Sequence, residues 1–261
     1  MIEQRLKNAR LSAGLTLMEL GERVGVSHTA IQKYEKGLTV PSSSALLKIA
    51  TACGVRTEYF FRDLSATIEG PDFRKHASLG KKAQQALLFK VAVLAEKRME
   101  LLQLFPQAPL PTFEVPSGLI GQISDYEQIE AVAESLRHAW NLGLNPIADL
   151  TDTLEKLGVL VVAVDAQNPK FSGLTGTAVS NDGRRYPVIA VSNGWPGDRQ
   201  RFTLAHELGH LVLSQYLSAE LDEEKACDRF AGAFLVPAET VVQYLGSSRN
   251  SLEWQELHTL K

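Results

Sequence analysis

The chain has 261 residues, 44% of them apolar and 22% charged, the proportions of a folded globular protein and not of a disordered one. Its longest apolar run, residues 159–164, falls far short of the roughly 20 residues a spanning helix needs, so no segment is expected to span a bilayer. The two cysteines, Cys53 and Cys227, are widely separated, and the chain starts with Glu3, Arg5, Lys7 and Arg10 where a signal peptide has an apolar core. A reducing, cytoplasmic compartment is therefore expected. The net charge of −3 hides a division: residues 1–110 carry +6 and residues 111–261 carry −9. Only the first part suits a polyanionic partner.

Residues 1–65 read as five short helices. Thr16 and Glu19 form a capping box, Gly25 punctuates, Ser27 offers an N-cap, and Gly37 and Pro41 close the segment. A longer helical pattern spans Lys81 to Leu104, with Leu87, Val91, Leu94, Met99 and Leu102 among its apolar positions; a connecting helix or a dimer contact is expected. Pro106, Pro109, Pro111 and Pro116 then mark an extended linker. Beyond it come helical patterns near 126–142 and 147–157, strand patterns near 158–165, 172–179 and 186–192, and helices near 199–216 and 220–235. The expected fold class is α+β: an all-α five-helix domain over 1–65, a connecting helix and linker over 66–123, and an α+β domain with a small sheet over 124–261.

Two short helices joined by a glycine-bearing turn, with polar residues exposed at the start of the second, are what a helix-turn-helix needs to enter a major groove. In Thr16 to Gly37, Leu20, Val24, Val26 and Ile31 fill the small core, and Ser27, His28, Thr29, Gln32, Lys33 and Lys36 are the candidate DNA contacts. The run LKNARLSAGLTLMELGERVGVSHTAIQKYEKGLTVPSSSALLKIATACGV, Leu6 to Val55, resembles the Xre/Cro/C1-type repressors. That resemblance implies a duplex DNA operator as partner, and because such sites usually come as paired half-sites a homodimer is expected.

Phe202 to Leu213 reads FTLAHELGHLVL and contains His206, Glu207 and His210 as H-E-x-x-H. Residues i and i+4 share a helix face, so both imidazoles can reach one zinc ion, with Glu207 beside them as general base. A third ligand is expected in the acidic cluster Glu220, Asp222, Glu223, Glu224 and Asp228. Glu223 and Glu224 stand about 100° apart on a helix, so only one is expected to face the histidines. The apolar side marked by Cys227, Phe230, Ala231 and Phe234 favours Glu224, with Asp228 one turn on as the orienter of a ligand histidine and Glu223 of little consequence.

The region Ser124 to Pro237 resembles the ImmA/IrrE family of zinc metallopeptidases, in which a segment E-x-x-A-[ND]-x-F-A follows H-E-x-x-H. Glu224, Cys227, Asp228, Phe230 and Ala231 occupy those positions, with Cys227 where the family has alanine. The resemblance implies a gluzincin-like domain with one zinc per chain, held by His206, His210 and Glu224, and a repressor or similar regulatory protein as substrate. The alternative is a DNA-binding regulator whose zinc domain senses a ligand or metal without proteolysis, or an antitoxin-type repressor. Tyr186, Tyr216 and several arginines are equal candidates for stabilising the oxyanion. Cys53 reads as core, and His76, His138 and His258 as surface or structural residues.

Overall fold

Side-chain caps set the boundaries of the first helices in the computed structural model, which describes residues 2–62, 66–71, 79–105, 111–166, 170–248, 251 and 253–256. Pro106, Pro109, His76 and His258 lie outside these described residues. Helix α1 spans Ile2–Ser12. Helix α2 (Leu17–Val24) starts at a reciprocal capping box: Thr16 Oγ1 accepts from the Glu19 N–H at 3.1 Å, and Glu19 Oε2 accepts from the Thr16 N–H at 2.6 Å. It ends at Gly25, whose φ of 79° is left-handed and suits glycine. Helix α3 (His28–Glu35) is capped by Ser27 and α4 (Ser43–Cys53) by Ser42. The fifth helical segment is a 3-10 turn, Thr57–Phe61, too short for an α-helical ladder. Leu6, Leu20, Val24, Ile31, Ile49 and Phe60 form the core that these elements share.

Strand β1 (Ala66–Glu69) and helix α5 (Lys81–Gln103) follow. Helix α5 packs on α1 through a buried ion pair, Arg5 Nη1 to Glu96 Oε1 at 2.8 Å, while the Arg5 guanidinium sits 4.9 Å above the Tyr59 ring. A second pair, Arg62 to Glu100 at 3.0 Å, ties the end of the 3-10 turn to the same helix.

The chain forms two compact units, Met1–Glu69 with His76–Gln107 and Ala178–Arg185, and Gly70–Lys75 with Ala108–Thr177 and Tyr186–Lys261. The second holds α6 (Glu127–Ala139), α7 (Leu150–Lys156), β2 (Leu160–Val164), most of β3 (Gly173–Ser180) and β4 (Arg185–Ser192), α8 (Gly197–Leu213), α9 (Glu223–Leu235) and α10 (Ala238–Leu245). Strand order is β1-β3-β4-β2, with β2 and β4 parallel from Leu160 opposite Val188 to Val164 opposite Ser192. Strand β1 and helix α10 have no counterpart in the sequence patterns.

The core of the second unit lies where α9 packs against both α6 and α8, around Ile129, Leu136, Leu208, Val212, Phe230 and Phe234. Arg137 is buried within it and donates to the carbonyls of Gly143, Asn145 and Phe234, so its charge is spread over three backbone oxygens. Close approach of α8 and α9 depends on Gly209: a Cβ there would stand 3.2 Å from the Cα of Cys227. No helix among the described residues is long and apolar enough to cross a membrane.

Candidate metal centre and helix-turn-helix

Helix α8 carries His206, Glu207 and His210, all buried, and α9 lies against it. The N-terminus of α9 is fixed from two sides. Asp222 caps it by accepting from the Lys225 N–H at 3.2 Å, and the Asp222 N–H donates to the Tyr126 hydroxyl at 3.0 Å. This places the carboxylates of Glu223 and Glu224 in the first turn, where the helix dipole favours negative charge.

Glu224 faces both histidines. Its Oε2 is 3.4 Å from His206 Nε2 and its Oε1 is 3.5 Å from His210 Nε2. One ligand atom from each of the three residues lies within 4.8 Å of the others. The opposite ring nitrogens are engaged by carboxylates: His206 Nδ1 lies 2.7 Å from Asp228 Oδ1, and His210 Nδ1 lies 3.0 Å from Glu223 Oε1. A carboxylate at Nδ1 holds the proton there and leaves the Nε2 lone pair to point at Glu224. Two imidazole nitrogens and a carboxylate are a zinc donor set, and bonds of about 2.1 Å in a tetrahedron separate ligand atoms by about 3.4 Å, close to the distance at which Glu224 meets each histidine, through a different oxygen for each. The residues present therefore fit zinc.

The expectation that only one of the adjacent glutamates faces the histidine helix is corrected by this geometry. An imidazole has nitrogens on two edges, and the His210 ring stands between Glu223 and Glu224, offering Nδ1 to one and Nε2 to the other. Ser214 adds a hydroxyl 2.6 Å from the same Glu223 Oε1.

Glu207 points to the sheet. The Thr175 hydroxyl of β3 donates to Glu207 Oε2 at 2.6 Å and is 3.0 Å from the Glu207 carbonyl oxygen. Gly173 gives the strand room to pass: a Cβ there would be 2.8 Å from Glu207 Oε1 and 2.5 Å from Thr203 Cγ2. Tyr216 lines a cavity of about 380 Å³ with Phe113, Val115, Pro116 and Leu211, and Tyr186 is half-buried on β4.

In the first unit, His28, Thr29, Gln32, Lys33 and Lys36 are exposed on α3 and its C-terminus, and Ile31 faces inward. The Ser27 hydroxyl is occupied by the Ala30 N–H at 3.2 Å and by Thr29 Oγ1 at 2.8 Å. Helix α3 is clamped to α1 by Arg10, whose Nε and Nη2 reach the Glu35 carboxylate at 2.5 and 2.9 Å and whose Nη1 donates to the Leu15 carbonyl at 2.8 Å. Gly21 sets the crossing of α2 and α3, because a Cβ would meet the Val26 carbonyl oxygen at 2.7 Å.

Two family models match the chain, helix-turn-helix over residues 6–60 and IrrE N-terminal-like domain (Peptidase_M78) over residues 154–261. The first part of the chain is thus similar to helix-turn-helix domains and the last part to IrrE-like domains. An uncharacterized transcriptional regulator in the ATPase CF(0) region of Rhodospirillum rubrum is 43% identical over 63 residues, 24% of this chain and 58% of that protein. The HTH-type transcriptional regulator ImmR of Bacillus subtilis is 34% identical over 56 residues, 22% of this chain and 44% of that protein. The chain thus spans about half the length of the curated relatives it matches. A solved chain titled SinR protein/SinI protein complex aligns over 41% of this chain and 99% of its own at 23% identity, with a TM-score of 0.24.

Within the IrrE-like region, Thr175, Gly173 and Ser214 escaped sequence reasoning, and Glu223 was weighed and set aside. A buried threonine on a strand reads as β-propensity, and its partner Glu207 lies 32 positions away. For Glu223 a cue existed, since its carboxylate lies at the head of the same helix as Glu224. Cys53 and Cys227 are both buried. Burial pushes the Cys53 thiol up to about 11 and raises that of Cys227 further. His138 is exposed.

Proposed function

We propose that this protein is a cytoplasmic, DNA-binding transcriptional regulator with zinc-dependent endopeptidase activity, acting on a repressor or similar regulatory protein. The observation that carries this reading is the convergence of His206 Nε2, His210 Nε2 and the Glu224 carboxylate, with Glu207 buried beside them on the same helix. In this reading His206, His210 and Glu224 hold one zinc per chain, Asp228 orients His206, and Glu207 is the general base. Zinc at such a site supplies Lewis acidity toward water and toward a peptide carbonyl oxygen. Glu207 takes the proton of the attacking water and returns it to the departing amine, so its carboxylate must be ionised and held in one rotamer. The Thr175 hydroxyl at 2.6 Å serves the second need, because it holds Oε2 in place.

The domain limits that go with this reading are 1–65 for DNA binding, 66–123 for the connection and 124–261 for the peptidase. The exposed face of α3, with Gln32 for base edges and Lys33 and Lys36 for phosphates, supports an operator as the partner of the first domain, bound as a homodimer. Ser27 then acts chiefly as the cap that starts the helix.

The test is metal analysis of wild-type and Glu207→Gln protein, followed by incubation of each with candidate repressors, with and without chelator. About one zinc in both proteins, with cleavage only by the wild type and only without chelator, is expected. Cleavage by Glu207→Gln at the wild-type rate overturns the assigned base. Unchanged regulation in that variant favours a zinc domain that senses without cutting.

A further inference from the structure

We infer that Glu223, held by Ser214, is the positioning residue for His210, so that α9 delivers one ligand and two orienting carboxylates to the histidines of α8. The inference rests on the metal reading above and adds a residue to which neither the H-E-x-x-H pattern nor the E-x-x-A-[ND] segment assigns a role. Glu223 Oε1 lies 3.0 Å from His210 Nδ1, and the same oxygen is 2.6 Å from Ser214 Oγ. Ser214 lies one helical turn beyond His210, and its hydroxyl is also 2.6 Å from the His210 carbonyl oxygen. A hydroxyl has one proton, and an ionised carboxylate is the stronger acceptor, so Ser214 steadies Glu223 while Glu223 steadies the ring.

The arrangement parallels that of Asp228 with His206 but is better shielded. The Glu223 side chain is 18% exposed and that of Asp228 is 51% exposed, so water competes less for Glu223. A free imidazole can place its proton on either nitrogen. Glu223 fixes it on Nδ1 of His210 and turns the Nε2 lone pair toward Glu224, as metal binding requires. Glu223 is accordingly expected to matter more than Asp228.

The experiment uses the full-length chain, stripped of metal and titrated with zinc alone against a chromophoric chelator. Glu223→Ala is expected to weaken zinc binding about 10- to 100-fold, and by more than Asp228→Ala. Glu223→Gln keeps an acceptor oxygen but loses the charge, so it falls between the wild type and Glu223→Ala, and Ser214→Ala gives a smaller loss than Glu223→Ala. A second readout needs no metal. At a pH about two units above the ordinary imidazole range, two-bond ¹H–¹⁵N spectra of the stripped protein report the His210 tautomer: Nδ1–H in the wild type, lost in Glu223→Ala and retained in Asp228→Ala. Circular dichroism confirms that each variant is folded. A folded Glu223→Ala with the wild-type tautomer and zinc affinity within about twofold of wild type, against the 10- to 100-fold expected, overturns the inference. If wild-type protein takes up no zinc, the metal reading fails, and the tautomer shift alone then decides whether Glu223 positions the ring.

Discussion

Replacing Gly173 by alanine adds one methyl group at the point where β3 crosses the Glu207 side of α8. The new carbon would lie 2.5 Å from Thr203 Cγ2 and 2.8 Å from Glu207 Oε1, against the roughly 3.5–4.0 Å of ordinary carbon contacts. Thr203 is β-branched and buried, so it has little rotamer freedom with which to yield. Glu207 could swing, but only by leaving the Thr175 hydroxyl. Losing glycine's unfolded-state freedom stabilises by about 0.5–1 kcal/mol, and overpacking costs about 1–3 kcal/mol; a net loss on the order of 0.5–2 kcal/mol follows. All three tryptophans, Trp140, Trp195 and Trp254, lie in the second unit, so urea unfolding followed by their fluorescence reads this loss directly. Gly232 in α9 is the control, since a Cβ there meets nothing within 4 Å; Gly232→Ala is expected to stabilise by about 0.5–1 kcal/mol. Zinc uptake should survive in Gly173→Ala, because His206, His210 and Glu224 sit on α8 and α9. On the proposed peptidase reading, a displacement of Glu207 by about 1 Å should slow cleavage on the order of 100-fold. Gly173→Ala as stable as wild type would refute the close approach of β3 to α8 on which the placement of Glu207 rests.

Four further outcomes are expected. Thr175→Val, equal in volume but without the hydroxyl, should destabilise the second unit by about 1.5–3 kcal/mol through the lost bond to a buried carboxylate, while Thr175→Ser restores most of the loss; equal unfolding midpoints for Thr175→Val and wild type would remove the hydroxyl from the account. In the first unit, Gly21→Ala drives a methyl into the Val26 carbonyl and should lower both the calorimetric melting temperature and the affinity for duplex DNA; tight DNA binding at wild-type stability contradicts the crossing geometry. Arg10→Met leaves Glu35 buried without its guanidinium and should cost about 3–5 kcal/mol, much of it recovered in Arg10→Met/Glu35→Leu; a double variant no more stable than the single one shows that the pair is not an isolated unit. Neither Cys53 nor Cys227 should react with a thiol reagent at about pH 8 until the protein is unfolded, because burial disfavours both thiolates; rapid labelling of the native protein counts against this packing.

Local features were legible in the sequence wherever their physical cause is local. A capping box needs only Thr16 and Glu19, a left-handed C-cap needs only Gly25, and two histidines four apart share a helix face in any fold. The acidic head of the next helix was equally visible, as was the apolar side that turns Cys227, Phe230 and Phe234 inward. Contacts between distant segments were decided by tertiary structure. Arg5 finds Glu96 across 91 positions, Glu207 finds Thr175 across 32, and β3 passes over α8 only because residue 173 lacks a Cβ. The pairing of the two glutamates belongs to the same class. Helix periodicity says that Glu223 and Glu224 diverge by about 100°, but whether both meet a partner depends on where the two edges of the His210 ring lie. That position is set by how closely Gly209 lets α9 approach α8, a distance that no residue pattern carries.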